Sequence, residues 1–262
     1  MKVLHVIPNL FKGGAQRLVI DICNELSKYN RIDCKVLVLS NAKNEFLHIS
    51  ESIDITYVSV EFSLSILSKN KVNISPYEVF IDEFQPDIIH SHLYFSELIC
   101  HEKPRKNITY ITHFHNNIRQ LSNFKFMSFY SKKAISDYYE KKRLLFKYKK
   151  SKKLFITISE NSNQYAKNVL TKKLSNKIKK LENAILHYSF VPIKKKKTTK
   201  TISLVSIGNL LKNKNQIFLL YVLKNLISKG YNTSLTLVGE GSCRDEIINK
   251  AHSLSVEKNL NM

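Results

Sequence analysis

Two strand-end histidine pairs are the residues best suited to chemistry in this chain. His90 and His92 close an apolar run that begins at Ile88, and His113 and His115 close one that begins at Ile108, with Asn116 next. Residues two apart on a strand share a face, so each pair sets two imidazoles side by side. In open parallel sheets the ligand lies beyond the carboxyl ends of strands. One imidazole of a pair there can hydrogen-bond a substrate hydroxyl or carbonyl while the others pack or face solvent. His-X-His spacing also suits a metal, but no third ligand is in evidence, and no metal is expected.

Phosphate chemistry has its own candidates. Gly13 and Gly14 lie between an apolar run and a helical pattern. Glycines there let the backbone approach a ligand, and a helix start offers unpaired amides with partial positive charge. A tight strand-to-helix turn with no ligand remains the alternative, since the segment is neither a dinucleotide fingerprint nor a Walker loop. Further along, Lys212 and Lys214 follow Gly208-Asn209, where a lysine can meet a diphosphate as a point charge. Gly239 and Gly241 would let the next loop approach the same ligand. Ser159 reads as a helix cap. Glu160 is either a first-turn charge or a ligand contact.

The elements that must position these residues alternate from the first residue. Lys2–Ile7 is a compact strand, and Ala15, Leu18, Val19, Ile22 and Leu26 fall at helical spacing. Further β runs are read at Cys34–Leu39, Ile55–Val60, Ile88–Ser91, Ile108–Thr112, Leu154–Ile158 and Ile178–Leu181, with a short helix at Glu78–Phe84. Near-continuous apolar strands separated by helices indicate a parallel sheet covered on both faces.

Between Val191 and Lys200 the pattern lapses into Pro192-Ile193, four lysines and two threonines, a linker composition. After it, strand, helix, strand, helix follow. The expected organisation is a complete α/β domain at 1–190, a Lys-rich linker at 191–200 and a partial second domain at 201–262. The last strand is expected to leave an unpaired edge at residues 234–238, and this domain to be the looser of the two.

Composition narrows the partners. The net charge of +21 calls for an anionic partner or reflects compositional bias in Lys, Asn and Ile. Lys125–Lys153 reads as helical, with Phe126, Phe129, Tyr130 and Phe146 among basic residues, and from Lys141 to Lys153 it has eight basic and no acidic residues. Such a stretch suits an anionic membrane surface, with a solvated helix face as the alternative. No nucleic-acid-binding signature is visible, so nucleic acid is not expected as a partner. No apolar run approaches the roughly 18 residues of a membrane span, and the chain is read as cytoplasmic. The cysteines Cys23, Cys34, Cys100 and Cys243 are scattered and read as reduced thiols.

Taken in order, these motifs resemble family 4 glycosyltransferases. GGAQR at 13–17 is similar to the family's glycine loop near the donor phosphates. PDIIHSH at 86–92 and ITHFHN at 111–116 resemble its acceptor-side strand ends, and ITISE at 156–160 its V-S-E segment. GNLLKNKN at 208–215 and LVGEG at 237–241 resemble the start of its nucleotide-sugar domain. The resemblance implies a GT-B fold of two Rossmann-like domains. It also implies retaining sugar transfer from a nucleotide-sugar to a saccharide or lipid-linked acceptor hydroxyl, with no metal cofactor, in bacterial surface polysaccharide assembly.

On that resemblance His115 is the catalytic histidine near the reacting carbon. Gly13, Gly14, Asn209, Lys214, Gly239 and Gly241 lie on the donor and phosphate side, and His92, Asn116 and Glu160 on the acceptor side. Asn209 stands where an arginine is frequent, and Asn183-Ala184 where Asn-Gly is frequent. The family's E-F-G-x-x-x-x-E signature would fall beyond Met262, so impaired activity is expected. The alternative is a non-catalytic module that binds a membrane or a partner.

Overall fold

The computed structural model describes residues 1–42, 44–64, 69–122, 131–184 and 201–262. The chain divides into two compact units, Met1–His187 and Tyr188–Met262. The expected linker at 191–200 lies outside the described residues, as do Phe126, Phe129 and Tyr130.

The first unit opens with β1 (Lys2–Ile7), α1 (Gly14–Leu26), β2 (Asp33–Val38), α2 (Leu47–Ser50) and β3 (Asp54–Tyr57). A small antiparallel pair follows, β4 (Glu61–Ser63) with β5 (Lys71–Asn73), and then α3 (Ser75–Phe84). The second half runs β6 (Ile88–His92), α4 (Leu93–Cys100), β7 (Thr109–Phe114) and α5 (Lys132–Tyr148). It continues through β8 (Lys152–Thr157), α6 (Glu160–Val169), α7 (Lys172–Ser175) and β9 (Ile178–Lys180). Seven strands form one parallel sheet in the order β3-β2-β1-β6-β7-β8-β9. The chain builds outward from β1 to β3 and then returns to β6 on the other side of β1. That reversal opens a crevice at the carboxyl ends of β1 and β6, where open α/β sheets bind ligands.

Helices cover the two faces differently. On one face α1 packs Val19, Ile20 and Cys23 against Ile7, Val36 and Val38. On the other, α3 and α4 bury Ile81, Phe84 and Ile99 with Leu4, Val6 and Ile89, while α5 and α6 add Leu144, Tyr148 and Ala166 around Phe114 and Phe155. Parallel strands buried on both faces explain why the sequence shows continuous apolar runs.

The second unit holds β10 (Thr201–Ile207), α8 (Gln216–Ser228), β11 (Asn232–Val238), α9 (Arg244–Ser253) and β12 (Leu260–Asn261). Its sheet is parallel, in the order β10-β11-β12. Leu220, Leu223, Leu235, Leu237 and Ile247 form its core. The expected bare edge at residues 234–238 is corrected here: Leu235 and Thr236 pair with Leu260 and Asn261. The residues after α9 turn back through a 3-10 turn at Glu257–Asn259 and supply the missing neighbour.

The basic stretch also differs from its expected form. It is helical only over Lys132–Tyr148 among the described residues, and Lys152 and Lys153 belong to a strand. Lys153 is buried because alternation on β8 turns it inward. Lys141 is buried with its Nζ donating to the Ser122 carbonyl at 3.1 Å. Lys147 donates to the Glu102 carbonyl at 2.6 Å, and Arg143 pairs with the Glu102 carboxylate. Lys142, Lys149 and Lys150 are exposed.

Candidate functional site

Three adjacent strands, β1, β6 and β7, set five imidazoles on the α1 face of the sheet. Register does this: His5 pairs with His90 across β1 and β6, and His92 with His113 across β6 and β7. Alternation on β6 keeps His90 and His92 on one face, and His115 follows at the end of β7. His92 Nε2 lies 2.9 Å from His5 Nδ1, and His92 Nδ1 lies 2.9 Å from His115 Nε2. His90 Nε2 meets His113 Nδ1 at 3.2 Å. The His113 and His115 rings stack with centroids 4.2 Å apart.

Burial disfavours the charged form of four of these imidazoles. Desolvation first, then the neighbouring imidazoles, holds His90 and His92 well below the usual histidine range. The same causes bring His113 down to about 3, and burial alone brings His115 down to about 4. A neutral imidazole carries one donor and one acceptor, so the two contacts of His92 use one ring nitrogen as donor and the other as acceptor. His115 is the outermost member of the cluster, half-buried where the others are buried. An open hollow of about 440 Å³ adjoins His113, lined also by Leu18, Ile22, Leu181, Asn183 and Ala184.

The strand ends around this cluster carry the other candidates of the first unit. Gly13 is the N-cap of α1 and no side chain caps that helix, so its first-turn amides remain available to an anion. A Cβ at Gly14 would meet nothing within 4 Å, whereas one at Gly13 would run into the Gln16 side chain. The glycine pair leaves room at the helix start, and its backbone is not strained.

His92 ends β6 and is the N-cap of α4. The next residue, Leu93, has φ of 67°, a left-handed conformation costing a non-glycine residue about 1–3 kcal/mol. The chain thus turns straight from strand to helix at the crevice. Asn116 is exposed beside His115. Ser159 caps α6 through a reciprocal box with Ser162. Glu160 is exposed, its Oε2 3.9 Å from Lys180 Nζ.

The opposite face of the same sheet holds a second polar cluster that the sequence did not reveal. Glu97 of α4 is fully buried and accepts hydrogen bonds from Thr112 Oγ1 at 2.8 Å, Tyr148 OH at 2.8 Å and Ser91 Oγ. His101 Nε2 lies 3.4 Å from Glu97 Oε2, and Lys153 Nζ lies 3.8 Å from it. Burial would raise the Glu97 pKa, but Lys153, His101 and Ser91 outweigh it and hold the carboxyl at about 2. Burial pushes Lys153 down to about 7 against the pull of Glu97. This network ties α4, α5 and three strands together.

In the second unit the glycines answer to the chain itself. Gly239 has φ of 148°, and a Cβ there would collide with the Gly208 carbonyl; Gly241 has φ of 158° with the Leu210 backbone in the way. The loop after β11 therefore lies directly on the loop after β10, joined by Gly208 N to Val238 O at 2.9 Å and Leu210 N to Glu240 O at 2.8 Å. Asn209 accepts from Gln216 Nε2 through its carbonyl at 3.0 Å. Lys214 is exposed in the turn Lys212–Lys214, just before α8, whose N-cap Asn215 makes no side-chain cap. Asn209 and Lys214 thus share the carboxyl-end loop of β10.

Comparisons with known proteins agree with this architecture. No curated protein matches the sequence. HepE of Anabaena, in complex with UDP and glucose, is similar in structure at 14% identity and a TM-score of 0.68, covering 100% of this chain and 68% of that one. A TarM variant of S. aureus, in complex with Fondaparinux, alpha-GlcNAc-glycerol and UDP, matches at 11% identity and 0.70, over 99% and 76%. The lipopolysaccharide outer core galactosyltransferase WaaB in its apo form matches at 14% and 0.60, over 99% and 67%. These likenesses establish the GT-B fold. The model for Glycosyltransferase Family 4 matches residues 12–176, which include the glycine pair and all four strand-end histidines, and the chain belongs to that family.

Proposed function

We propose that the chain transfers a sugar from a nucleoside diphosphate sugar to an acceptor hydroxyl with retention of anomeric configuration, without a metal in the chemical step. The bond from the anomeric carbon to the diphosphate breaks and a bond to the acceptor oxygen forms, the acceptor proton leaving with the diphosphate. Family membership supports the reaction class. The hydrogen-bonded imidazole run ending at His115, at the crevice of the sheet, is the observation that carries the assignment of roles.

His115 Nδ1 faces the sugar near the reacting carbon, and His92 fixes its ring. Within the first unit the amides at Gly13 and Gly14 suit a phosphate, and within the second the Lys214 ammonium does, each by electrostatic stabilisation of developing charge. Asn209, Gly239 and Gly241 shape the donor loop, while Asn116 and Glu160 flank the acceptor. Solved relatives that hold UDP make a uridine nucleotide the donor to test first. The acceptor is a saccharide, free or lipid-linked, of a surface polysaccharide. Exposed Lys142, Lys149 and Lys150, with Lys142 over the Tyr138 ring and Lys150 over the Phe146 ring, support contact with an anionic membrane at the cytoplasmic face.

The test is UDP release from UDP-glucose and UDP-N-acetylglucosamine, comparing wild type with His115→Ala. Whatever the absolute rate, wild type should exceed the variant by roughly 10²–10³-fold. Equal release by both, or no release from any nucleotide sugar, would overturn the proposal.

A further inference from the structure

A second group shares His5 with the imidazole run. Cys23 of α1 and Cys34 of β2 reach the same point under α1 as His5 of β1. One ligand atom from each of the three residues falls within 4.8 Å of the others. Cys23 and His5 are buried at 1% exposure each. His5 Nδ1 is engaged by His92, and His5 Nε2 is buried with no hydrogen-bond partner.

We propose that His5 Nε2, Cys23 Sγ and Cys34 Sγ form a site for a thiophilic divalent cation, with Zn²⁺ the ion that suits it best. Tetrahedral zinc with bonds of about 2.0–2.3 Å sets its ligands about 3.5–3.8 Å apart. No pair of ligand atoms therefore needs to close by more than about 1.3 Å. Two thiolates, one neutral imidazole and a divalent cation sum to zero charge, the arrangement burial tolerates best.

Binding deprotonates the thiols: each sulfur bonds the cation as a thiolate and its proton is released to solvent. Three protein ligands leave the fourth position to water. The two other imidazole triplets are poorer sites, because both ring nitrogens of His92 are already bonded to neighbouring histidines.

Occupancy would also set the direction of the imidazole run. With His5 Nε2 on the cation, its only N–H is at Nδ1 and donates to His92 Nε2. His92 Nδ1–H then donates to His115 Nε2, and the remaining His115 proton sits on Nδ1. The test of the site does not use turnover.

Reduced, chelator-stripped full-length protein is titrated with Co²⁺ and then with Zn²⁺. One Co²⁺ per chain should bind with a thiolate-to-cobalt charge-transfer band, and Zn²⁺ should displace it. The band should vanish in Cys34→Ser and Cys23→Ser and persist in Cys243→Ser. Should the first two variants fail to fold, alkylation of wild type decides: saturating Zn²⁺ should slow modification of Cys34 by at least about tenfold. Absence of binding, Co²⁺ bound without a thiolate band, or unchanged Cys34 alkylation would overturn the proposal.

Discussion

The two faces of the seven-stranded sheet bury polar groups in different ways. On the Glu97 face a carboxylate is met by three hydroxyls, an imidazole and an ammonium from four surrounding elements. Its charge is answered on every side, and every partner but His101, the residue just after α4, lies within a strand or helix. On the α1 face the imidazoles contact chiefly one another, with His5 Nε2 and His113 Nε2 left over. Buried polar atoms are normally satisfied. The Glu97 network ties its face together through charge-matched partners, whereas the α1-face cluster leaves two imidazole nitrogens without a partner.

The largest expected effect lies on the Glu97 face. Glu97→Gln leaves Lys153 buried without its counter-charge and should cost about 3–5 kcal/mol in urea unfolding. A cost below about 1 kcal/mol would mean that the network is not a structural tie. His115→Ala should show the reverse profile. Turnover falls by the factor given above, while the unfolding free energy moves by no more than about 1 kcal/mol.

A smaller change sharpens the first. Thr112→Val removes one donor to the ionised Glu97 and should cost about 1.5–3 kcal/mol with turnover retained.

Acid separates the faces further. Folded pKa values depressed to about 4 at His115 and about 3 at His113, and well below the usual range at His90 and His92, mean that the unfolded chain binds protons first. Their stabilising contribution is complete above about pH 6.5 and is lost as pH falls toward 4. On the other face His101, at about 4, adds to this, whereas Glu97, at about 2, loses its contribution only below about pH 4.5. Unfolding free energy should therefore fall by roughly 1 kcal/mol per pH unit or more between pH 6.5 and 4.5. A flat profile over that interval would show that the imidazoles are not desolvated.

Much of this was legible in the sequence where apolar runs ended in polar residues. β1 keeps its expected limits, and the histidine and Ser159 strand ends fall where the pattern places them. Helix α4 was not read because no glycine or proline separates it from β6. The chain turns at Leu93 instead, through a backbone conformation that sequence does not advertise. Glu97 and His101 went unnoticed with it. The β4–β5 pair is short and exposed, with no periodic signal.

His5 looked like an ordinary strand residue, since its partner His92 lies 87 positions away. Cys23 and Cys34 showed no ligand spacing because a helix and a strand bring them together. For Gly239 and Gly241 the crossing of two loops is a second requirement for glycine that the sequence does not reveal.

The most direct test of the imidazole run as the reacting edge is histidine ¹⁵N NMR of the full chain as UDP-glucose is added. Resonances of His115 and His92 should move while those of His101, across the sheet, stay in place. Movement of His101 to the same extent, or no movement of His115, would contradict the assignment of the two faces.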